Sequence, residues 1–122
     1  MSFKNSHVLV IDDNEDILFI IESMLKLKGY TVSTREHTHD LKGFIFELSP
    51  NIILMDMILK EGDGRKICQH LKADKGLSAI PIVMLSAHPD AKQECLASGA
   101  NYFLEKPFDM QELYQAVSHV LS

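Results

Sequence analysis

Four short apolar runs in this 122-residue chain end on side chains that can do chemistry. His7-Val-Leu-Val-Ile11 stops at Asp12-Asp13, Ile52-Ile-Leu-Met55 at Asp56, and Pro81-Ile-Val-Met-Leu85 at Ser86. The run Asn101-Tyr-Phe-Leu104 is followed by Glu105-Lys106-Pro107. Carboxylates brought together repel and raise one another's pKa unless a cation compensates. A hard divalent ion suits oxygen ligands, and Mg²⁺ takes one or two carboxylates, carbonyls, waters and phosphate oxygens. Lys106 adds a mobile positive charge and Ser86 a hydroxyl donor. Together these groups describe a site for a phosphoryl group. One carboxylate can be the nucleophile, forming an aspartyl-phosphate, while cation and lysine neutralise the equatorial oxygens during in-line transfer. Asp12 and Asp13 are adjacent and suit metal binding. Asp56, alone between Met55 and Met57, is the better acceptor.

Positioning these groups requires strands that end at one rim. The apolar runs rich in β-branched residues read as buried strands. Between them the period changes to three and four. Ile17, Ile20, Ile21, Met24 and Leu25 mark a first helix, capped by Asp13 or Asn14 and stopped at Gly29. Tyr30–Thr34 reads as a more polar strand near a sheet edge. Leu41, Phe44, Ile45 and Leu48 mark a second helix that closes at Ser49-Pro50. Lys60-Glu-Gly-Asp-Gly64 is a turn before a third helix carrying Ile67, Cys68 and Leu71. A weaker fourth helix covers about Asp90–Ser98 and ends at Gly99. The last carries Leu113, Ala116, Val117, Val120 and Leu121 on one face. Five strands alternating with five helices, joined by right-handed crossovers, make a three-layer α/β fold with a parallel sheet. In such a sheet the functional crevice lies at the carboxyl ends of the strands.

Composition narrows the field. Twelve basic and 17 acidic residues leave a charge of −5, which argues against direct binding of nucleic acid or an anionic membrane. No stretch approaches a membrane span, and Met1–His7 lacks the apolar segment of an export signal. Cys68 and Cys95 are too few for a disulfide framework or zinc module. A reduced cytoplasmic protein is expected. No Gly-rich phosphate cradle is present, so nucleotide binding is not expected.

The segments Val8–Asn14, Ile53–Asp56, Pro81–Ala87 and Gly99–Phe108 stand in order along essentially the whole chain. In this the sequence resembles the receiver domains of bacterial two-component response regulators, a family that includes the chemotaxis response regulator. The resemblance implies a single receiver domain over residues 1–122 with a (βα)5 flavodoxin-like fold and strand order 2-1-3-4-5. It implies that a sensor histidine kinase or phosphotransfer protein donates a phosphoryl group to Asp56. Asp12 and Asp13 then match the acidic pair that holds Mg²⁺, with Mn²⁺ as an alternative, joined by Asp56 and the Ile58 backbone carbonyl. Ser86 matches the hydroxyl that bonds the phosphoryl group, and Lys106 the family's lysine, with a cis bond to Pro107. Phe103 matches the aromatic switch position. Self-phosphorylation from small phosphodonors and self-dephosphorylation belong to the same reading. Output would pass to a downstream protein or output domain, by phosphorelay, or through a phosphorylation-dependent homodimer; a piece of a longer regulator is equally compatible.

Several positions depart from the family's pattern. Lys60 stands where Pro is common and Gly62 where Met is common, so a looser loop after Asp56 is expected. Ser86 replaces the commoner Thr, and Phe103 the commoner Tyr, which makes any output contact there apolar. Ile58 and His88 occupy positions that tune dephosphorylation, and the bulk of Ile58 predicts a slowly hydrolysed phosphate. The six histidines, including His37 and His39, form no metal motif and read as surface residues. Cys68 and Cys95 read as small core residues. Phe19 and Leu27, off the apolar stripe of the first helix, read as single exposed apolars or a kinase-facing surface. Two other functions compete. A Mg²⁺-dependent aspartyl-phosphate hydrolase would need an acid/base two residues after the nucleophile, where Ile58 stands. A phosphorylation-independent scaffold would not need Asp12, Asp13, Asp56, Ser86 and Lys106.

Overall fold

Strands β1 (His7–Ile11) and β3 (Ile52–Asp56) lie side by side and parallel, with Val10 opposite Leu54 and Ile11 opposite Met55. They belong to a computed structural model that describes residues 5–122. Their β-branched apolar sequences suit a sheet covered on both faces. In chain order follow helix α1 (Glu15–Leu27), β2 (Thr31–Arg35) and α2 (Leu41–Leu48), which leads into β3. After β3 come a short ribbon, β4 (Ile58–Leu59) and β5 (Gly62–Asp63), and helix α3 (Gly64–Ala73). Then come β6 (Ile82–Ser86), a 3₁₀ turn at Pro89–Ala91, α4 (Lys92–Ala97), β7 (Tyr102–Glu105) and α5 (Met110–Leu121). The five-stranded sheet has the order β2-β1-β3-β6-β7 and is parallel throughout. Setting the ribbon aside, this is the 2-1-3-4-5 order, and the more polar β2 forms an edge.

Alternate residues of each strand feed two separate cores. Leu9, Ile11, Ile53, Met55, Ile82 and Met84 pack with α2, α3 and α4 through Leu41, Ile45, Cys68, Leu71 and Cys95. Val8, Val10, Ile52, Leu54, Val83, Leu85 and Leu104 pack with α1 and α5 through Leu18, Ile21, Leu25, Leu113, Ala116 and Val117. This is the period-two consequence of side chains pointing to opposite faces. Both cysteines are free and buried.

Several elements differ from the reading of the sequence. The buried stripe of α1 is Leu18, Ile21 and Leu25, while Ile20 is 49% exposed. Ile17, Ile20 and Met24 instead border an apolar groove of about 370 Å³ against Pro107 and Phe108. A run so rich in isoleucine offers two overlapping stripes, and packing against the sheet selects one. Tyr30 precedes β2 and is buried beside the end of α1, its N–H donating to the Leu25 carbonyl. Strand β6 opens at Ile82; Pro81 lies just outside and its carbonyl accepts the Ile53 N–H. The fourth helix is shortened by the 3₁₀ turn at its start. The loop after Asp56 is not loose: Ile58 pairs with Asp63 and Leu59 with Gly62 in an antiparallel ribbon. Among the described residues, no helix is long and apolar enough to cross a membrane.

Candidate functional site at the strand ends

The register of the sheet brings the reactive residues to one rim. Ile11 pairs with Met55, so Asp12 follows β1 level with Asp56, the last residue of β3. Asp56 in turn pairs with Leu85, directly before Ser86. Ser86 pairs with Glu105, and its carbonyl accepts the Lys106 N–H at 2.8 Å. That backbone bond holds Lys106 against the end of β6. The Lys106–Pro107 peptide is cis.

Lys106 joins the acids. Its Nζ donates to Asp56 Oδ1 at 2.7 Å and to Asp12 Oδ2 at 3.1 Å. All three side chains are withdrawn from water, with 2% of Asp12, 13% of Asp56 and 18% of Lys106 exposed. Asp12 Oδ1 accepts the Asn14 N–H at 2.9 Å, and the Asn14 side chain caps α1 by accepting the Ile17 N–H. The first turn of α1 therefore aims Asp12 at the site. Asp13 Oδ2 accepts the Lys60 N–H at 2.7 Å across 47 residues of sequence, which pins the β4–β5 ribbon to the end of β1. Asp56 Oδ2 accepts the Ile58 N–H at 3.2 Å. The Ser86 hydroxyl oxygen is buried and accepts the His88 N–H at 2.9 Å, leaving its own proton to donate.

Electrostatics follow from this burial. Asp56 is pushed above the ordinary aspartate value, first by burial and then by the charge of Asp12; the hydrogen bonds from Lys106 and Ile58 and the charge of Lys106 oppose the rise. Burial pulls Lys106 down, but its bond to Asp56 and the charges of Asp56 and Asp12 outweigh that and hold the ammonium above its usual range. Three carboxylates thus share the rim with one ammonium bonded to two of them. Among the described residues, no three His, Cys, Asp or Glu side chains form a metal cage by themselves. The donors instead suit an ion that keeps waters and draws on carbonyl and phosphate oxygens, which is the habit of Mg²⁺. Hard oxygen ligands and a surplus of negative charge fit such an ion.

The other sequence candidates fall as follows. Ile58 is 58% exposed at the rim beside Asp56. Phe103 is half-buried, lies opposite Met84 and packs on the core beneath α4. His88 is exposed and meets Ser86 through its backbone alone. His37 and His39 are exposed, and their carbonyls accept the Arg35 guanidinium. Phe19 and Leu27 are exposed on α1. Sequence reasoning missed Asp63, whose side chain caps α3 by accepting the Arg65 N–H at 2.9 Å. Arg65 returns two bonds to Asp63 and one to Glu94 on α4. An Asp directly before a helix was the available signal.

Comparison with known proteins places this geometry in a family. The family model for the response regulator receiver domain matches residues 8–118, and the chain belongs to that family. The DNA-binding dual master transcriptional regulator RpaA of Synechocystis is 33% identical over 118 residues, covering 93% of this chain and 48% of RpaA. The chain spans about half the length of the curated relatives it matches. A putative response regulator of Chloroflexus aurantiacus superposes with a TM-score of 0.91 at 28% identity, covering 97% of this chain and 98% of that one. The receiver domain of sensor histidine kinase PA1611 of Pseudomonas aeruginosa, solved with a magnesium ion in its active site cleft, superposes at 0.86. It is 27% identical, with 96% of this chain and 98% of that one covered.

Proposed function

We propose that this receiver is a phosphorylation-operated switch whose acceptor is Asp56. The observation that carries the reading is the Lys106 bridge, 2.7 Å from Asp56 Oδ1 and 3.1 Å from Asp12 Oδ2 in a largely desolvated site. In the step, an Asp56 carboxylate oxygen attacks phosphorus in line. A P–O bond forms while the P–N bond to the histidine of a sensor kinase or phosphotransfer protein breaks, and the imidazole leaves with the electron pair. A small phosphodonor would react in the same way. Lys106 pairs with the charge that develops on the transferred oxygens, and the Ser86 hydroxyl donates to one of them. Asp12, Asp13, Asp56 and the Ile58 carbonyl would hold Mg²⁺, or Mn²⁺ by the same oxygen chemistry. When bound, the ion supplies further neutralisation of phosphoryl charge.

Phosphorylation then shifts a two-state population, with Ser86 and Phe103 as the moving parts. The output goes to a downstream protein or output domain, or to a second phosphorylated copy. A charge of −5 makes this domain itself a poor ligand for nucleic acid. Two free, buried cysteines support a place in the reducing cytoplasm. The exposed Ile58 side chain beside the acceptor supports a slowly hydrolysed phosphate.

The test is intact mass after incubation with Mg²⁺ and acetyl phosphate, run beside Asp56→Asn. The expected result is one phosphoryl group on the wild type and none on the variant. Equal labelling of both would move the acceptor elsewhere. No labelling, with Mg²⁺ binding shown and no beryllofluoride response, would favour a phosphorylation-independent interaction module.

A further inference from the structure

We propose that Gly64 is a positioning residue for the acceptor aspartate, an inference that rests on the phosphoacceptor reading of Asp56. Gly64 is buried at the start of α3, and its N–H donates to the Met57 carbonyl at 2.7 Å. A Cβ at this position would lie 2.6 Å from the Asp56 carbonyl oxygen, 3.0 Å from Met57 Cα and 3.1 Å from the Met57 carbonyl oxygen. These neighbours are backbone atoms, so no change of rotamer relieves the overlap. Gly64 has no positive φ. Close approach, not conformational freedom, is what demands glycine here.

The peptide that Gly64 rests on is the one leaving Asp56. Its other side is held by β6, where the Met57 N–H donates to the Leu85 carbonyl at 2.8 Å. The Met57 side chain is buried, with its sulfur 3.5 Å from Cys95 Sγ. One residue further on, the Ile58 N–H holds Asp56 Oδ2. The Asp56–Met57 peptide therefore sits between β6 and the first turn of α3. Any side chain at 64 pushes it toward β6, turning the Asp56 carboxylate away from Lys106 and displacing the Ile58 carbonyl. A misplacement of this order at a reacting group is enough to slow transfer about a hundredfold.

Gly62, two residues earlier in the ribbon, provides a control, because a Cβ there meets Ile67 Cδ1 at an ordinary 3.5 Å. The experiment compares wild type, Gly62→Ala and Gly64→Ala, each checked by thermal melt, for labelling by acetyl phosphate across a Mg²⁺ titration. We expect Gly62→Ala to match wild type within about twofold. Gly64→Ala should label at least tenfold more slowly and need more Mg²⁺ for half-maximal rate, a shift that a mere loss of folded protein does not produce. Labelling of Gly64→Ala at the Gly62→Ala rate and the same Mg²⁺ requirement overturns the proposal. Absence of labelling in wild type overturns the acceptor reading instead. The positioning claim is then read from amide spectra with Mg²⁺ alone, where Met57 and Ile58 should differ from wild type in Gly64→Ala and coincide in Gly62→Ala; coincidence in both overturns it. Should Gly64→Ala not fold, the wild-type Gly64 amide decides. Slow hydrogen exchange and a shift on adding Mg²⁺ with beryllofluoride support the proposal, whereas fast exchange with no shift overturns it.

Discussion

The two faces of the sheet are built to different standards. On one, α1 and α5 run 13 and 12 residues, and both begin with a side-chain cap. Asn14 accepts the Ile17 N–H, while Asp109 and Glu112 form a reciprocal capping box with bonds of 2.8 and 3.1 Å. The Tyr114 hydroxyl then ties α5 to α1 by donating to the Met24 carbonyl at 2.6 Å. On the other face only α3, with ten residues, carries a side-chain cap, from Asp63; α2 and α4 have eight and six residues and neither has one. Asp40 precedes α2 with a φ of +50°. What holds α4 comes from outside it, through Arg65 to Glu94 and Met57 to Cys95. Both tethers begin in the segment that follows Asp56. The difference teaches that one face anchors the sheet, and that the other is coupled to the site and is the less costly one to rearrange.

Truncation of the two cores should expose this contrast most strongly. Leu25→Ala on the α1 face should lose about 3 kcal/mol in a denaturant melt, through lost burial and the cavity left behind. Ile45→Ala on the α2 face, equally buried and losing the same number of carbons, should lose about 2 kcal/mol. Equal losses would show that the faces are not built differently. Next in size is the cap. Asp109→Ala should lower stability by about 1 kcal/mol, whereas Asp40→Asn, which removes no cap bond and keeps a residue suited to the left-handed φ, should change it by less than about half that amount.

The smallest effect is the pH dependence of the Arg65 bridge. The hydrogen bond from Arg65 holds Asp63 below the ordinary aspartate value of 3.8, against the opposing effect of burial. A depressed folded value means that the unfolded chain binds the proton first as pH falls. The stabilisation is therefore complete above the ordinary value and is lost as the pH falls through the depressed one. Melts between pH 6 and pH 2, roughly the range in which carboxylates titrate, should show a shallower acid-side decline for Asp63→Asn than for wild type. Parallel curves would remove Asp63 and Arg65 from the account of how α3 and α4 are held.

Much of this architecture was legible in advance because buried parallel strands announce themselves. Runs such as Val8–Ile11 and Ile52–Met55 have few alternatives, and their abrupt polar ends point to the rim where Asp12, Asp56, Ser86 and Lys106 meet. The α1 stripe was less legible, since Ile17, Ile20 and Met24 compete with Leu18, Ile21 and Leu25 on composition alone. The loop after Asp56 misled for another reason. Lys60 and Gly62 suggest slack, but the ribbon and the Lys60 amide bonded to Asp13 are backbone contacts that residue types do not report.

The sequence by itself determined the alternation of strands and helices and the chemical inventory at the strand ends, because both depend on side-chain type and spacing along the chain. Only the tertiary structure decided that Lys106 bridges Asp12 and Asp56, that Asp13 turns to the ribbon, and that Gly64 rests on the peptide leaving Asp56. Those outcomes depend on distances between segments tens of residues apart, which are set by sheet register and helix packing.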